Sequence, residues 1–228
     1  MIKFFFIISL LFPLENQVFK IKFLGLPTAK VALNARDTLY HGQMNKYIHF
    51  TTESIGVFDY LFHVDNQYYT IVSDDIKNIM SFGKNTRQPN VENTLKTSII
   101  KNQTIYNNSS IIIPKNYFNI FSLLYFLSHN KISDNHIVNI EREGIFYTGV
   151  ITRIDELVGK NQILYNLDLR IQESSNNIPI IEHTDIFTWA LFQDNAKREI
   201  LIDYDTNKIV QCQFSKGGIR MVARNIKY

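Results

Sequence analysis

Asn116-Tyr-Phe-Asn-Ile-Phe-Ser-Leu-Leu-Tyr-Phe-Leu127 is the stretch on which the fold turns. Ile120, Leu123, Leu124 and Leu127 recur at helical spacing, while Phe121, Tyr125 and Phe126 fill most of the remaining circumference. A helix that is apolar almost all round has to be covered by other structure. Asn116 or Asn119 can cap its start by accepting from the free backbone N–H groups of the first turn. Outside this segment, nearly every stretch alternates apolar and polar residues at the period of a half-buried strand.

Working outward, Val18 to Phe23 sets Phe19, Ile21 and Phe23 against Lys20 and Lys22. Leu24-Gly-Leu-Pro27 turns the chain, and Thr28 to Asp37 places Ala29, Val31, Leu33 and Ala35 on one face, which makes a hairpin. Ile55 to Phe62 is apolar without a clear period, a short helical turn or a bent strand. Gly83 to Asn93 is polar and holds Pro89, which predicts a loop. Beyond the helix, strands are expected at Asn135 to Glu143 and Gly144 to Asp155, and again over Gln162 to Gln172 and Ile186 to Phe192. Further strands follow at Glu199 to Tyr204, Ile209 to Phe214 and Ile219 to Ile226. Strands at this spacing suggest a sandwich or barrel. A plain sandwich has nowhere to cover an apolar helix. The expected fold is therefore mainly β: a strongly curved antiparallel sheet, an open barrel, wrapping one central helix in a single domain over residues 18–228.

Residues 1–17 are expected to be a secretory leader. Met1-Ile-Lys3 is a short basic start, and Phe4 to Leu14 is an apolar run too short to cross a bilayer as a helix. Leu14-Glu-Asn-Gln17 lacks the small residues of a usual cleavage site, and the alternative for Phe4-Phe-Phe-Ile-Ile8 is a first buried strand. The leader implies a periplasmic or otherwise exported protein that is not integral to the membrane. The chain has 228 residues and a net charge of +3 from 24 basic and 21 acidic side chains. No Lys/Arg block with interleaved aromatics occurs, so nucleic acid is not an expected partner. Cys212 is the one cysteine, which precludes an internal disulfide and an all-cysteine zinc site. Its strand-like neighbours suggest a buried, inert thiol.

No motif here identifies a reaction. There is no nucleophile elbow, no zinc-protease helix and no phosphate-cradling or dinucleotide glycine loop. His41, His49, His63, His129, His136 and His183 lie far apart in sequence. Asp203-Tyr-Asp205-Thr-Asn207 opens like a calcium loop, but Lys208 and Phe214 stand where that loop needs glycine and glutamate. Glu141 with Glu143, and Asp155 with Glu156, are paired carboxylates best explained as solvated surface. No catalytic residue, metal or cofactor is therefore expected, and the chain is expected not to be an enzyme. What remains is an apolar interior. Phe50, Phe58, Tyr60, Tyr69, Phe121, Leu124, Tyr125 and Trp189 are the candidate lining of a groove for a lipid or other apolar molecule. The alternative is a structural or protein-interaction module with an envelope protein as partner.

The order of short motifs resembles a bacterial exported family catalogued as domain of unknown function 3108. Phe19-Lys-Ile-Lys-Phe-Leu-Gly25 with Ala29-Lys-Val-Ala-Leu33 is similar to its opening hairpin, and Gly56-Val-Phe-Asp-Tyr-Leu-Phe-His63 to its apolar corner. Ile120-Phe-Ser-Leu-Leu-Tyr-Phe-Leu127 and a late segment, Phe187-Thr-Trp-Ala-Leu191, follow in the same order. This chain departs from the pattern at Ser128-His129, where an arginine is common, and at Asp194 to Arg198, which lacks a proline. The resemblance implies a cell-envelope protein shaped like the periplasmic lipoprotein carriers, with a helix against the concave face. It implies no activity.

Overall fold

The computed structural model describes residues 15–107, 109–157, 160–173 and 178–228, with the backbone alone at 155–157. The chain opens with β1 (Glu15–Phe23), β2 (Leu26–Tyr40), β3 (Gln43–Ser54) and a short helix, α1 (Gly56–Leu61). β4 (Asp65–Ser73), β5 (Ile79–Gln88), β6 (Val91–Ile100) and β7 (Gln103–Tyr106) continue it. Two-residue strands, β8 (Ile112–Ile113) and β9 (Tyr117–Phe118), then lead into α2 (Ile120–His129). β10 (His136–Arg142), β11 (Ile145–Leu157) and β12 (Gln162–Ile171) precede α3 (Ile186–Leu191). β13 (Lys197–Asp203), β14 (Lys208–Lys216) and β15 (Ile219–Asn225) complete the described chain.

These strands form one sheet in the order β8-β7-β6-β5-β4-β3-β2-β1-β15-β14-β13-β12-β11-β10-β9. Neighbours run antiparallel except β9 with β10. The edge strands β8 and β9 are joined through Pro114, Lys115 and Asn116. A connection this short lets Ile113 and Tyr117 lie no more than about 14 Å apart, so the sheet curls almost into a closed barrel. The expected class, an open barrel around a central helix, is borne out.

α2 lies inside the curl, touching β3, β4, β9, β10, β13 and β14. Asn119 accepts from Ser122 N at 2.8 Å, and Ser122 Oγ accepts from Asn119 N at 3.0 Å, a reciprocal cap that fixes the first turn. Leu123 and Leu127 are fully buried, and Phe126 packs on Phe118. At the far end Tyr204 Oη donates to Leu127 O, while Tyr125 and His129 reach Glu15 at the start of β1. The strand registers place the β1–β2, β5–β6, β10–β11 and β14–β15 turns at the opposite end, together with α1 and α3. α2 therefore plugs one end of the barrel and α3 covers the other.

Several local expectations are corrected. Gly83 to Asn93 is not a loop but the end of β5, a turn at Pro89-Asn90 and the start of β6. Its inward residues include Lys84 and Thr86, so a buried strand face carries polar side chains. Ile186 to Phe192 is the helix α3, because Asp185 accepts from both Phe187 N and Thr188 N and caps a first turn. The first fourteen residues of the expected leader lie outside the described residues. Glu15, Asn16 and Gln17 belong to β1, and Gln17 Oε1 accepts from Ile209 N at 3.0 Å.

Candidate functional site

Between α2 and α3 the barrel keeps a chamber of about 140 Å³. Ile120, Phe121 and Leu124 face it from α2; Phe187, Ala190 and Leu191 face it from α3. Phe19 and Ile21 of β1, Phe50 of β3, Cys212 and Phe214 of β14 and Ala223 of β15 line the wall between them. Small side chains on the inner face, Ala190 and Ala223 among them, leave space that the large side chains of α2 do not fill. Arg198, buried at the start of β13, donates to the carbonyls of Leu191, Ala196 and Gln193 and so ties the end of α3 to the sheet. Burial pushes the Cys212 thiol up to about 12. The thiol is therefore a neutral, unreactive part of the apolar wall.

The chamber has a polar end. Tyr68, Ile120, Phe121 and Thr188 line both it and a second void of about 20 Å³, room for roughly one water. Lys84, Glu141, Arg142, Glu143 and Asn119 enclose that void. Lys84 Nζ pairs with Glu143 and meets Asp185 Oδ2 at 2.7 Å, and it donates to Thr184 Oγ1 at 2.8 Å. All three charged groups are buried. Burial works against ionisation of Asp185, but Lys84 and the α3 cap outweigh it and hold the carboxyl below its ordinary value. Glu141 is 1% exposed and accepts from Tyr106 Oη and Gly144 N, both at 2.8 Å. Burial dominates there and raises its carboxyl to about 7 despite those two bonds. The Arg142 guanidinium lies over the rings of Tyr147 and Phe192.

Of the candidates named from sequence, Phe50, Phe121 and Leu124 line the chamber. Phe121 packs at a tilt against Phe50 and Tyr68 with ring centres 4.9 and 4.5 Å apart. Tyr125 is buried, but at the other end, where its hydroxyl meets Glu15. Tyr69 lies on the outer face, since Tyr68 takes the inner one and side chains alternate. Phe58 and Tyr60 sit on α1, outside the barrel, with Tyr60 91% exposed. Trp189 is on the outer side of α3, about half exposed. None of these last five lines the chamber.

The expectation that Glu141 and Glu143 are solvated is overturned, because both are buried against residues from across the sheet edge. Asp155 and Glu156 lie in β11, outside the residues whose side chains are described. Sequence reasoning also missed Tyr68, Lys84, Asp185 and Arg198. For Lys84 and Arg198 the available signal was charge inside a strand, which a linear pattern scores as loop. Among the described residues no three His, Cys, Asp or Glu side chains converge in a metal-binding group, and no helix is long and apolar enough to cross a membrane.

No family model matches this sequence, and no curated protein is similar to it in sequence. A crystal structure of a beta-barrel-like protein of domain of unknown function DUF1849, from Brucella abortus, is similar in fold. The TM-score is 0.53 over 95% of this chain and 96% of that one, at 9% identity. The likeness is one of fold alone. It supports a β-barrel-like architecture of unassigned function and does not single out family 3108.

Proposed function

We propose that this is a non-enzymatic binding protein of the cell envelope that takes an apolar segment of a lipid or similar molecule between α2 and α3. The chamber carries the reading: an almost wholly apolar space of about 140 Å³ kept open inside a sheet otherwise packed to its helix. An engineered apolar cavity of about 150 Å³ stays dry and binds benzene, so a ring or a chain end of about five carbons is the expected occupant. Each buried methylene contributes roughly 0.8 kcal/mol, giving about 4 kcal/mol for such a segment. The apolar run at Phe4 to Leu14 supports export, and the motif order supports kinship with family 3108.

The buried Lys84, Glu141, Glu143 and Asp185 are the groups an enzyme would use. Each is already committed. Lys84 is held by two carboxylates and a threonine, and Glu141 by a tyrosine and a backbone N–H. They join strands on the two sides of the open edge, which accounts for them without a reaction.

Native mass spectrometry of the full chain purified from a bacterial envelope tests the reading. A lipid adduct is expected on the wild type and not on Ala223→Phe, whose ring fills the chamber. Absence of any adduct, together with no saturable toluene binding by NMR, would reject it.

A further inference from the structure

We infer that the barrel docks on an anionic phospholipid bilayer through the β1–β2 and β14–β15 turns, with Leu24 and Leu26 inserted and Lys22, Lys216 and Arg220 on the phosphates. This surface lies outside the chamber and does not depend on anything entering it. The β1–β2 turn carries the argument. Its two central residues, Leu24 and Gly25, have φ of 49° and 86°, the hairpin turn that asparagine-glycine fills best. In other turns of this chain asparagine takes the left-handed conformation, at Asn90, Asn102, Asn161 and Asn207. A bulky side chain is disfavoured there, and folding gives nothing back, because Leu24 is 62% and Leu26 69% exposed. Burial against something outside the chain accounts for both leucines. The tip has apolar neighbours at the same end. Leu24 N donates to Arg220 O at 3.1 Å, beside exposed Ile219, and Ile55 N donates to Thr28 O, which seats α1 next to the start of β2. Val57, Tyr60 and Leu61 of α1 stand exposed there.

The charge behind the tip names the partner. Phe19 and Ile21 point inward, so Lys20 and Lys22 lie on the outer face; Arg220 and Arg224 alternate in the same way with Met221 and Ala223 of the chamber wall. Lys20 stands opposite Lys30 on one side and Arg224 on the other, although like charges directly opposite destabilise a sheet. Arg220 and Arg224 donate to the amide oxygens of Gln213 and Gln211 at 2.7 and 2.9 Å, and Lys216 to that of Gln193 at 3.4 Å. Neutral partners leave those charges for an outside anion. The acids near them are at the margin: Glu53 lies opposite Lys30, and Asp59 is engaged by Ser54 and His63. Leucines at a tip with cations just behind it match the depth profile of an anionic bilayer, acyl chains below and phosphates above. A soluble polyanion would answer the cations and leave the leucines in water. Trp189, the one tryptophan of the chain, is half exposed on α3 at this same end, and an indole is well placed at headgroup level.

The test mixes the full chain with phosphatidylglycerol or phosphatidylcholine vesicles and measures cosedimentation and Trp189 fluorescence. Binding to phosphatidylglycerol is expected, with a blue shift of Trp189, weaker binding to phosphatidylcholine, and loss of affinity as salt is raised. Lys22→Gln with Arg220→Gln should weaken binding by about twentyfold, since each cation near such a surface is worth about fivefold. Leu24→Asn with Leu26→Thr should weaken it by about tenfold or more. Asparagine is the residue this turn favours and threonine suits a strand, so the melting temperature of that variant should not fall. The apolar run at Phe4 to Leu14 is present in every sample, so binding through that run would leave both double variants at wild-type affinity. That result overturns the inference. So does failure to bind phosphatidylglycerol, an unshifted Trp189, or equal affinity for the two lipids. Heparin binding as tight as vesicle binding, with neither weakened by the leucine substitutions, would make the face a polyanion site and overturn it as well. Toluene binding in the chamber is a separate measurement that none of these outcomes changes.

Discussion

Tyr68 and Tyr69 are adjacent, chemically identical and opposite in consequence. One faces the chamber and the other faces out, because β4 alternates and its register with β5 puts Gly83 beneath the outer ring. A Cβ at Gly83 would lie 2.0 Å from Tyr69 Cε1, so the glycine is there to be covered by that ring. Nothing in the dipeptide says which tyrosine is inside; a slip of one residue exchanges them. Glu141 makes the same point with charge. Its folded-state carboxyl titrates near 7 against an ordinary 4.5. The folded protein therefore holds a proton that the unfolded chain releases, and stability falls as pH rises from about 4.5 to 7. Glu141→Gln keeps an acceptor for Tyr106 and Gly144 and removes that loss. Urea denaturation should show the variant more stable than wild type at pH 8, by on the order of 3 kcal/mol, with the two alike near pH 4.

Among the helices, α3 is the one that pattern analysis assigned to the wrong class. Ile186 to Leu191 is rich in β-branched and aromatic residues, and six residues are too few for helix propensity to decide. Its ends decide instead. Asp185 satisfies the N–H groups of the first turn, and Arg198 collects carbonyls beyond the last one. Both come from outside the helix, Arg198 from the following strand. Arg198→Met should leave those carbonyls unsatisfied and unfasten the cover of the chamber. A loss of about 2–4 kcal/mol is expected. Hydrogen exchange should accelerate at residues 186–193 well before it does in β13. α2 is the opposite case: its apolar circumference and its asparagine cap are local properties, so its sequence announced it, displaced by only a few residues at its start.

For the whole molecule the decisive feature is the unpaired edge between β8 and β9. No ladder closes it. Side chains do so instead, through Lys84 of β5 with Glu143 beyond β10, and Tyr106 of β7 with Glu141 of β10. An apolar cluster of Ile79, Phe82, Leu95, Tyr106 and Ile113 fills the seam beside them. Asp185 titrates below its ordinary value of 3.8, so the Lys84–Asp185 contribution is present above that pH and lost as pH falls through the folded-state value. Lys84→Met would strand two buried carboxylates and cost roughly 3–5 kcal/mol near neutral pH. That penalty should shrink as the pH is lowered and Asp185 takes up a proton. Chemical denaturation of wild type and variant at pH 7.5 and pH 4 measures it. A pH-independent loss would mean that Lys84 acts only through packing.

What this sequence determined by itself was the period of its strands, the greasy helix and hence the curved sheet needed to cover it, because those follow from interactions within a few residues. Phe50, Phe121 and Leu124 were legible as interior for the same reason. Which tyrosine faces inward, why a lysine sits in a buried strand, where the carboxylates go and whether any space is left were decided only by the tertiary structure. Those outcomes depend on strand register, on an edge closed by side chains 35 and 59 residues apart, and on a volume set jointly by some twenty side chains. No local pattern carries that sum.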